Sequence, residues 1–152
     1  MKQRFCIGFE VHQPHRLKKE FRPDFSNDPE HSTERYFDDA NKEILLRVCD
    51  KCYDPATSII LDQLDDGFCC AFSLSGVLIE QLEKWAPDVL DLFKQAARHK
   101  NVEMIGQTYF HSISSLFWTM DEFCNQVNLH RDLLKDVFGV EPQVFENTEF
   151  LF

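Results

Sequence analysis

Short, unbroken apolar runs alternate along this chain with longer stretches in which apolar residues recur every three or four positions. The runs predict buried strands over residues 4–11, 68–75, 102–106 and roughly 143–150, where continuous apolar character is expected of a strand covered on both faces. Between them the spacing predicts helices. Over 33–53, Tyr36, Phe37, Ala40, Ile44, Leu45, Val48 and Cys52 share one face, and Asp54-Pro55 is expected to end that helix. A shorter helix follows at about 56–64, closed by the Asp66-Gly67 turn. Ser75 is placed to cap a helix over 76–85, Pro87 restarts one over 87–99, and a last helix near 121–137 stops at Gly139. The segment 12–32, with Pro14, Pro23 and Pro29, is long for a connection within a domain, and such loops are usually functional or mobile. Strand alternating with helix implies an α/β fold with a parallel sheet. Residues 144–152 read as a strand still running where the sequence ends, so four strands with βα connections suit part of a barrel better than a finished open sheet. The 152 residues are expected to be one incomplete domain.

Composition narrows the partners. A net charge of −10 argues against nucleic acid and against anionic membrane surfaces, since both need basic patches. No window approaches the ~20 apolar residues of a membrane span, and the first residues lack the apolar stretch of a signal peptide, so a cytoplasmic location is expected. The six cysteines include Cys49-x2-Cys52 and the vicinal Cys69-Cys70. Four zinc ligands would need a knuckle turn at the first pair and a gap in the second, so buried, reduced thiols are expected instead, with no metal and no cofactor.

Candidate chemistry sits at strand ends. His12-Gln13-Pro14-His15 follows the first strand, where Pro14 would fix the backbone and aim one imidazole at a substrate hydroxyl. Glu103 interrupts the apolar Val102–Gly106 strand, and carboxylates buried in strands are rarely unpaired. It could face a lumen and bind sugar hydroxyls. Gly106 permits a close approach of backbone or ligand. Tyr109, Phe110 and Trp118 offer flat faces for sugar stacking, or core and lid packing. Asn147-Thr148-Glu149 closes the sequence; on an ideal strand Glu146 and Glu149 would face opposite sides, so only one could point inward. A partner carboxyl ~5–5.5 Å away would make Glu149 the nucleophile of a retaining glycosidase. Phe72-Ser73-Leu74-Ser75-Gly76 lacks the first glycine of a nucleophile elbow, leaving helix capping as the role of Ser75.

In order, His12-Gln13-Pro14, Val102-Glu103-Met104-Ile105-Gly106 and Asn147-Thr148-Glu149 resemble glycoside hydrolase family 57. Arg35-Tyr36-Phe37-Asp38-Asp39, Cys52-Tyr53-x-Pro55, Phe72-Ser73-x-Ser75-Gly76 and Tyr109-x-His111-Ser112 look like its α-amylase-type branch. The resemblance implies an incomplete (β/α)7 barrel, truncated here after about the fourth strand. It implies a retaining α-glucan hydrolase or 4-α-glucanotransferase acting on α-glucan or maltooligosaccharides. Glu149 matches the family's nucleophile; His12, Gln13, Glu103 and His111 match substrate-binding positions; Glu146 falls outside the matched position. The family's acid/base is an aspartate in a later motif, beyond Phe152. Two other classes stay open: a glucan-binding homologue without catalysis, and a metal-dependent carbohydrate deacetylase built on the histidines.

Overall fold

The computed structural model describes residues 5, 7–20 and 36–151; Cys6, Pro23, Pro29, Arg35 and the expected helix start at 33–35 lie outside them. Three strands, β1 (Gly8–Val11), β2 (Cys70–Leu74) and β3 (Val102–Met104), form a parallel sheet in the order β1-β2-β3. Gly8 pairs with Ala71, and Ala71 with Glu103; Phe9, Phe72 and Met104 form the adjacent row. Because side chains alternate along a strand, the two rows belong to opposite faces.

The Phe72 row meets the helices. Phe9 stacks on Phe72 with ring centroids 5.4 Å apart, and Phe93 meets Phe72 edge to face at 5.6 Å. Five helices supply this core: α1 (Ala40–Val48), α2 (Asp54–Leu64), α3 (Gly76–Trp85), α4 (Pro87–Ala97) and α5 (Asp121–Phe138). Leu45, Leu64, Leu78, Leu82, Leu90 and Leu134 are all buried in one apolar cluster with Val11, Phe72 and Leu74. Each such side chain contributes roughly 1.5–3 kcal/mol relative to exposure. Among the described residues the opposite face carries Gly8, Glu10, Ala71 and Ser73 and has no comparable apolar cover. The sequence led us to expect cover on both faces; β2 is buried along its whole length, Ala71 and Ser73 included, whereas Gly8 and Glu10 of β1 are exposed.

Two local departures from expectation have clear causes. Asp54-Pro55 does not end a helix. A π-helical turn, Cys49–Tyr53, joins α1 to α2, and the Asp54 N–H reaches back to the Cys49 carbonyl. Such widening gives a proline ring the room that an α-helical turn denies it. Cys49 and Tyr53 then sit inward four residues apart, while Cys52 faces solvent. Burial of the thiols therefore holds for Cys49 and Cys70 but not for Cys52, Cys69 or Cys124; all five are free. The fourth strand is also shorter than expected. Gly106 donates its N–H to the Val144 carbonyl at 2.8 Å and accepts from the Glu146 N–H at 2.8 Å, a single parallel bridge centred on Phe145. Beyond it the chain leaves the sheet in a 3-10 turn, Thr148–Phe150.

The start of α3 is crowded. Ser75 caps it, its Oγ accepting from the Leu78 N–H at 3.4 Å. Immediately after, the Tyr109 ring lies against Gly76, so that a Cβ built there would come within 2.7–2.8 Å of three ring carbons. Gly76→Ala is expected to cost about 1–3 kcal/mol by forcing Tyr109 off the helix, read as a lowered thermal midpoint; an unchanged midpoint would show the ring moves freely.

Candidate active site

The carboxyl ends of parallel strands are where α/β enzymes place their chemistry, because the following loops converge there. The face opposite the core supplies Glu10 from β1, then His12 two residues on; β2 supplies Ser73 and then Ser75; the chain after β3 supplies Gln107. These side chains are wired together. Ser75 Oγ lies 2.7 Å from His12 Nδ1, so the residue that caps α3 also orients the imidazole. Gln107 Nε2 donates to Ser73 Oγ at 2.9 Å, and its Oε1 accepts from His111 Nδ1 at 2.9 Å. His111 Nδ1 also lies 3.3 Å from Glu10 Oε1. Facing two acceptors, that nitrogen carries a proton. The His111 ring stacks on His12 with centroids 4.3 Å apart.

Electrostatics follow from the arrangement. Burial, with help from the neighbouring His111 and Arg16, lowers the pKa of His12 to about 4, so its imidazole is neutral at neutral pH. Burial raises the Glu10 carboxyl; His111 opposes the shift, and the charges of Glu146 and Glu149 add to it. Both glutamates therefore act on the same group. Residues 148–150 are a 3-10 turn, so the strand alternation expected for this pair does not apply; Glu149 is exposed. Glu146, which falls outside the matched motif position, lines a cleft of about 580 Å³ with Gly8, Glu10, Ile105, Phe145 and Phe150.

Glu149 sits on the 3-10 turn with φ 56°, exposed. Its flanks are pinned: Asn147 Nδ2 donates to Ser115 Oγ at 2.8 Å and to the Leu151 carbonyl, and the Thr148 and Thr108 hydroxyls share a 2.9 Å hydrogen bond. His111, Glu149 and Phe150 are the non-glycine residues with positive φ among the described residues. Each such conformation costs on the order of 1–3 kcal/mol and persists where surrounding contacts over-determine it. All three fall on this site.

The remaining candidates lie apart. Glu103 shares the face of Glu10 and His12 but stands in the Gly8–Ala71 row, roughly 13 Å below His12 at about 3.3 Å per residue. It is exposed and lines a separate concavity with Phe5, Cys69 and Lys100. Gln13 is engaged inside the protein: its carbonyl accepts from Gln81 Nε2 at 2.8 Å, and Arg16 reaches its Oε1 at 3.4 Å. Gly106 allows close approach of backbone, as its pairing with 144–146 demonstrates. Trp118 is fully exposed, while Phe110 is half-exposed and packs edge-on against Tyr109. Among the described residues no group of three or more His, Cys, Asp or Glu side chains is gathered as a metal site.

Two residues the sequence reading passed over matter here. Glu10 is a carboxylate in an apolar strand two positions before His12, hence on the same face. His130 repeats at four-residue steps with Gln126, Leu134 and Phe138, the buried stripe of α5. It is fully buried, donates from Nε2 to the Leu74 carbonyl at 2.7 Å and accepts the Gln107 N–H on Nδ1 at 3.2 Å. An imidazole thus stands between β2 and the chain after β3, and burial lowers its pKa.

His130→Ala is expected to lower stability by about 2–4 kcal/mol, since a carbonyl and an N–H lose their partners in the interior; a denaturation midpoint within error of wild type would refute the bridge. A second prediction concerns pH. Unfolded His12 takes its proton near 6.5, but the folded protein resists until about 4, so stability should fall as pH drops through that window and level off below it. His130 adds in the same direction. His12→Gln should flatten the melting-temperature profile between those pH values; an unaltered slope would mean His12 is not held neutral.

No helix among the described residues is long and apolar enough to cross a membrane. The solved structures that resemble this chain share its fold at low sequence identity. The 4-alpha-glucanotransferase from Thermococcus litoralis matches with a TM-score of 0.70 at 16% identity, over 97% of this chain and 19% of that one. A GH57 branching enzyme from Thermococcus kodakaraensis matches at 0.68 and 12% identity, over 95% of this chain and 32% of its own. In sequence, a Methanocaldococcus jannaschii protein bearing a provisional alpha-amylase name is 42% identical over 148 residues. That alignment takes in 96% of this chain but only 31% of the relative, so the chain spans about a third of the protein it matches. The model of glycosyl hydrolase family 57 matches residues 6–152. With nearly the whole chain inside that match, and its histidines and glutamates gathered at the strand ends, the chain belongs to glycosyl hydrolase family 57.

Proposed function

We propose that this chain is the N-terminal part of a (β/α)7-type catalytic barrel in a cytoplasmic, α-glucan-active enzyme, either a hydrolase or a 4-α-glucanotransferase. The sheet order supports the barrel. Strands adding in chain order, with a fourth segment bridging onto the third, are what a closing barrel needs, whereas a doubly wound sheet reverses direction near its first strand. The single observation that carries the functional reading is the convergence of His12, His111, Glu10, Glu146 and Glu149 at the carboxyl ends of these strands in a chain of this family.

In this reading Glu149 is the nucleophile. It attacks the anomeric carbon of an α-glucan, forming a glycosyl-enzyme while the leaving oxygen takes a proton from an aspartate outside these 152 residues. Water or a second sugar hydroxyl then attacks that intermediate, and configuration is retained. The left-handed turn suits the role, because it projects the carboxylate away from the backbone while Asn147 and Thr148 hold the turn's base. His12 and His111 present a pair of stacked rings to the sugar, and the neutral His12 can accept from or donate to a hydroxyl without competing for charge. Gln13 contributes by fixing the loop, whereas Glu103, on the same face but roughly 13 Å from His12, stays outside the reacting centre.

Replacing Glu149 by Gln in the intact enzyme is expected to lower turnover of maltooligosaccharides by a factor on the order of 10³ or more, with sugar binding kept. Activity within a few-fold of wild type would remove Glu149 from the mechanism. Binding without turnover in the wild-type enzyme would favour the non-catalytic reading.

A further inference from the structure

The two stacked imidazoles of the site are held from one helix end. Ser75, which caps α3, orients His12, and the residues just after it grip the segment that carries His111. That segment is a tight turn. His111 donates its N–H to the Thr108 carbonyl at 3.0 Å, which puts Tyr109 and Phe110 in the middle of the turn and His111 at its exit, with φ 52°. A left-handed residue with a side chain persists only where its neighbours are fixed. The entrance is fixed by Thr108 Oγ1, which accepts the Ser112 N–H at 2.9 Å and shares a hydrogen bond with Thr148.

Tyr109 fixes the middle through three contacts, all with α3. Its carbonyl accepts the Val77 N–H at 3.4 Å, its ring lies against Gly76, and its hydroxyl donates to Glu80 Oε1 at 2.5 Å. These partners fall within little more than one turn of the helix, beside the buried Leu78 and Ile79 that root it in the core. A carbonyl is common to every residue, and a phenylalanine ring would cover Gly76 equally well. The hydroxyl on the carboxylate is therefore the contact that calls for tyrosine at 109 and an acceptor at 80. A hydrogen bond to a charged oxygen is shorter and stronger than a neutral one. Burial, the bond to Glu80 and the charges of Glu80 and Glu83 hold the phenol well above its ordinary range, so it stays a donor. Neither Tyr109 nor Glu80 lines the cleft that Glu10 and Glu146 share, so their bond reaches that chemistry through His111.

Resting on the α-glucan reading above, we propose that Glu80 and Tyr109 are a positioning pair: their hydrogen bond fastens the turn 108–111 to α3 and thereby sets where the His111 ring stands against His12 and the sugar.

The test uses the intact enzyme with maltoheptaose, at a temperature well below the thermal midpoint of each variant. Tyr109→Phe keeps the ring on Gly76 and removes only the hydroxyl. It is expected to lower kcat/KM roughly tenfold, less than the ~10²-fold that an ångström of misplacement can cost. Glu80→Ala should lose the same factor, the double variant no more than either alone, and Glu80→Gln, which keeps an acceptor oxygen, should restore most of it. A second measurement needs no turnover. With the six histidines labelled with 13C at Cε1, the His111 resonance is the one missing from His111→Gln. It should shift in Tyr109→Phe and in Glu80→Ala, and return close to its wild-type position in Glu80→Gln. Turnover by both single variants within twofold of wild type overturns the positioning pair and leaves the catalytic reading intact. So does a larger loss in Glu80→Ala that adds to that of Tyr109→Phe, since it would give Glu80 a sugar contact of its own. If the wild type turns over no glucan, the catalytic reading falls and the resonance decides: the stated pattern of shifts keeps the pair as what sets His111, and an unmoved resonance overturns it.

Discussion

At the carboxyl ends of β2 and β3 the backbone faces conflicting demands. To make room for side chains, neighbouring strands must part, yet a carbonyl and an N–H left in the interior without partners are costly. His130 resolves the conflict by standing between them, with the Leu74 carbonyl on one ring nitrogen and the Gln107 N–H on the other. This tautomer cannot take a second proton without turning its acceptor into a donor that confronts an N–H. The bridge also places Gln107, and through Gln107 it places Ser73 and His111. Much of the site is thereby referred to one buried imidazole on α5.

Charge sets the second constraint. Burial raises the cost of ionising Glu10, the charges of Glu146 and Glu149 add to it, and the His111 ring 3.3 Å away opposes them. Neighbouring His12 is kept neutral by burial. Two adjacent imidazoles thus have different partners and different duties. The protein achieves this with Ser75 behind one and Gln107 behind the other.

Much of the framework was legible in the sequence because it depends on local signals. Helices α3, α4 and α5 start and stop where Ser75, Pro87 and Gly139 place them, and β2 is buried along its whole length, as a central strand should be. Pro55 misled because a proline ends an α-helix, yet a π turn upstream can absorb it. The fourth strand misled because apolar character in 144–152 marks residues near a sheet and says nothing of the turn that ends it. At the site, His12 and Glu149 stood out as polar residues beside apolar runs. Glu10 carried the same signal and could have been read by its two-residue offset from His12. His130 could have been placed inward by its helical period, but not its two bonds, which depend on how far β2 and β3 separate. Glu103 fitted the face but not the depth, since depth comes from register and register from pairing.

The order β1-β2-β3 also has a temporal meaning. Each strand pairs with the one made just before it, so the sheet can grow as the polypeptide leaves the ribosome. The rim cannot. Gln107 waits for His130, which arrives with α5, and the turn bearing Glu149 leans on Thr108 and Ser115. The turn that carries Glu149 and Phe150, two of the three non-glycine residues with positive φ among the described residues, is therefore assembled after the sheet it leans on.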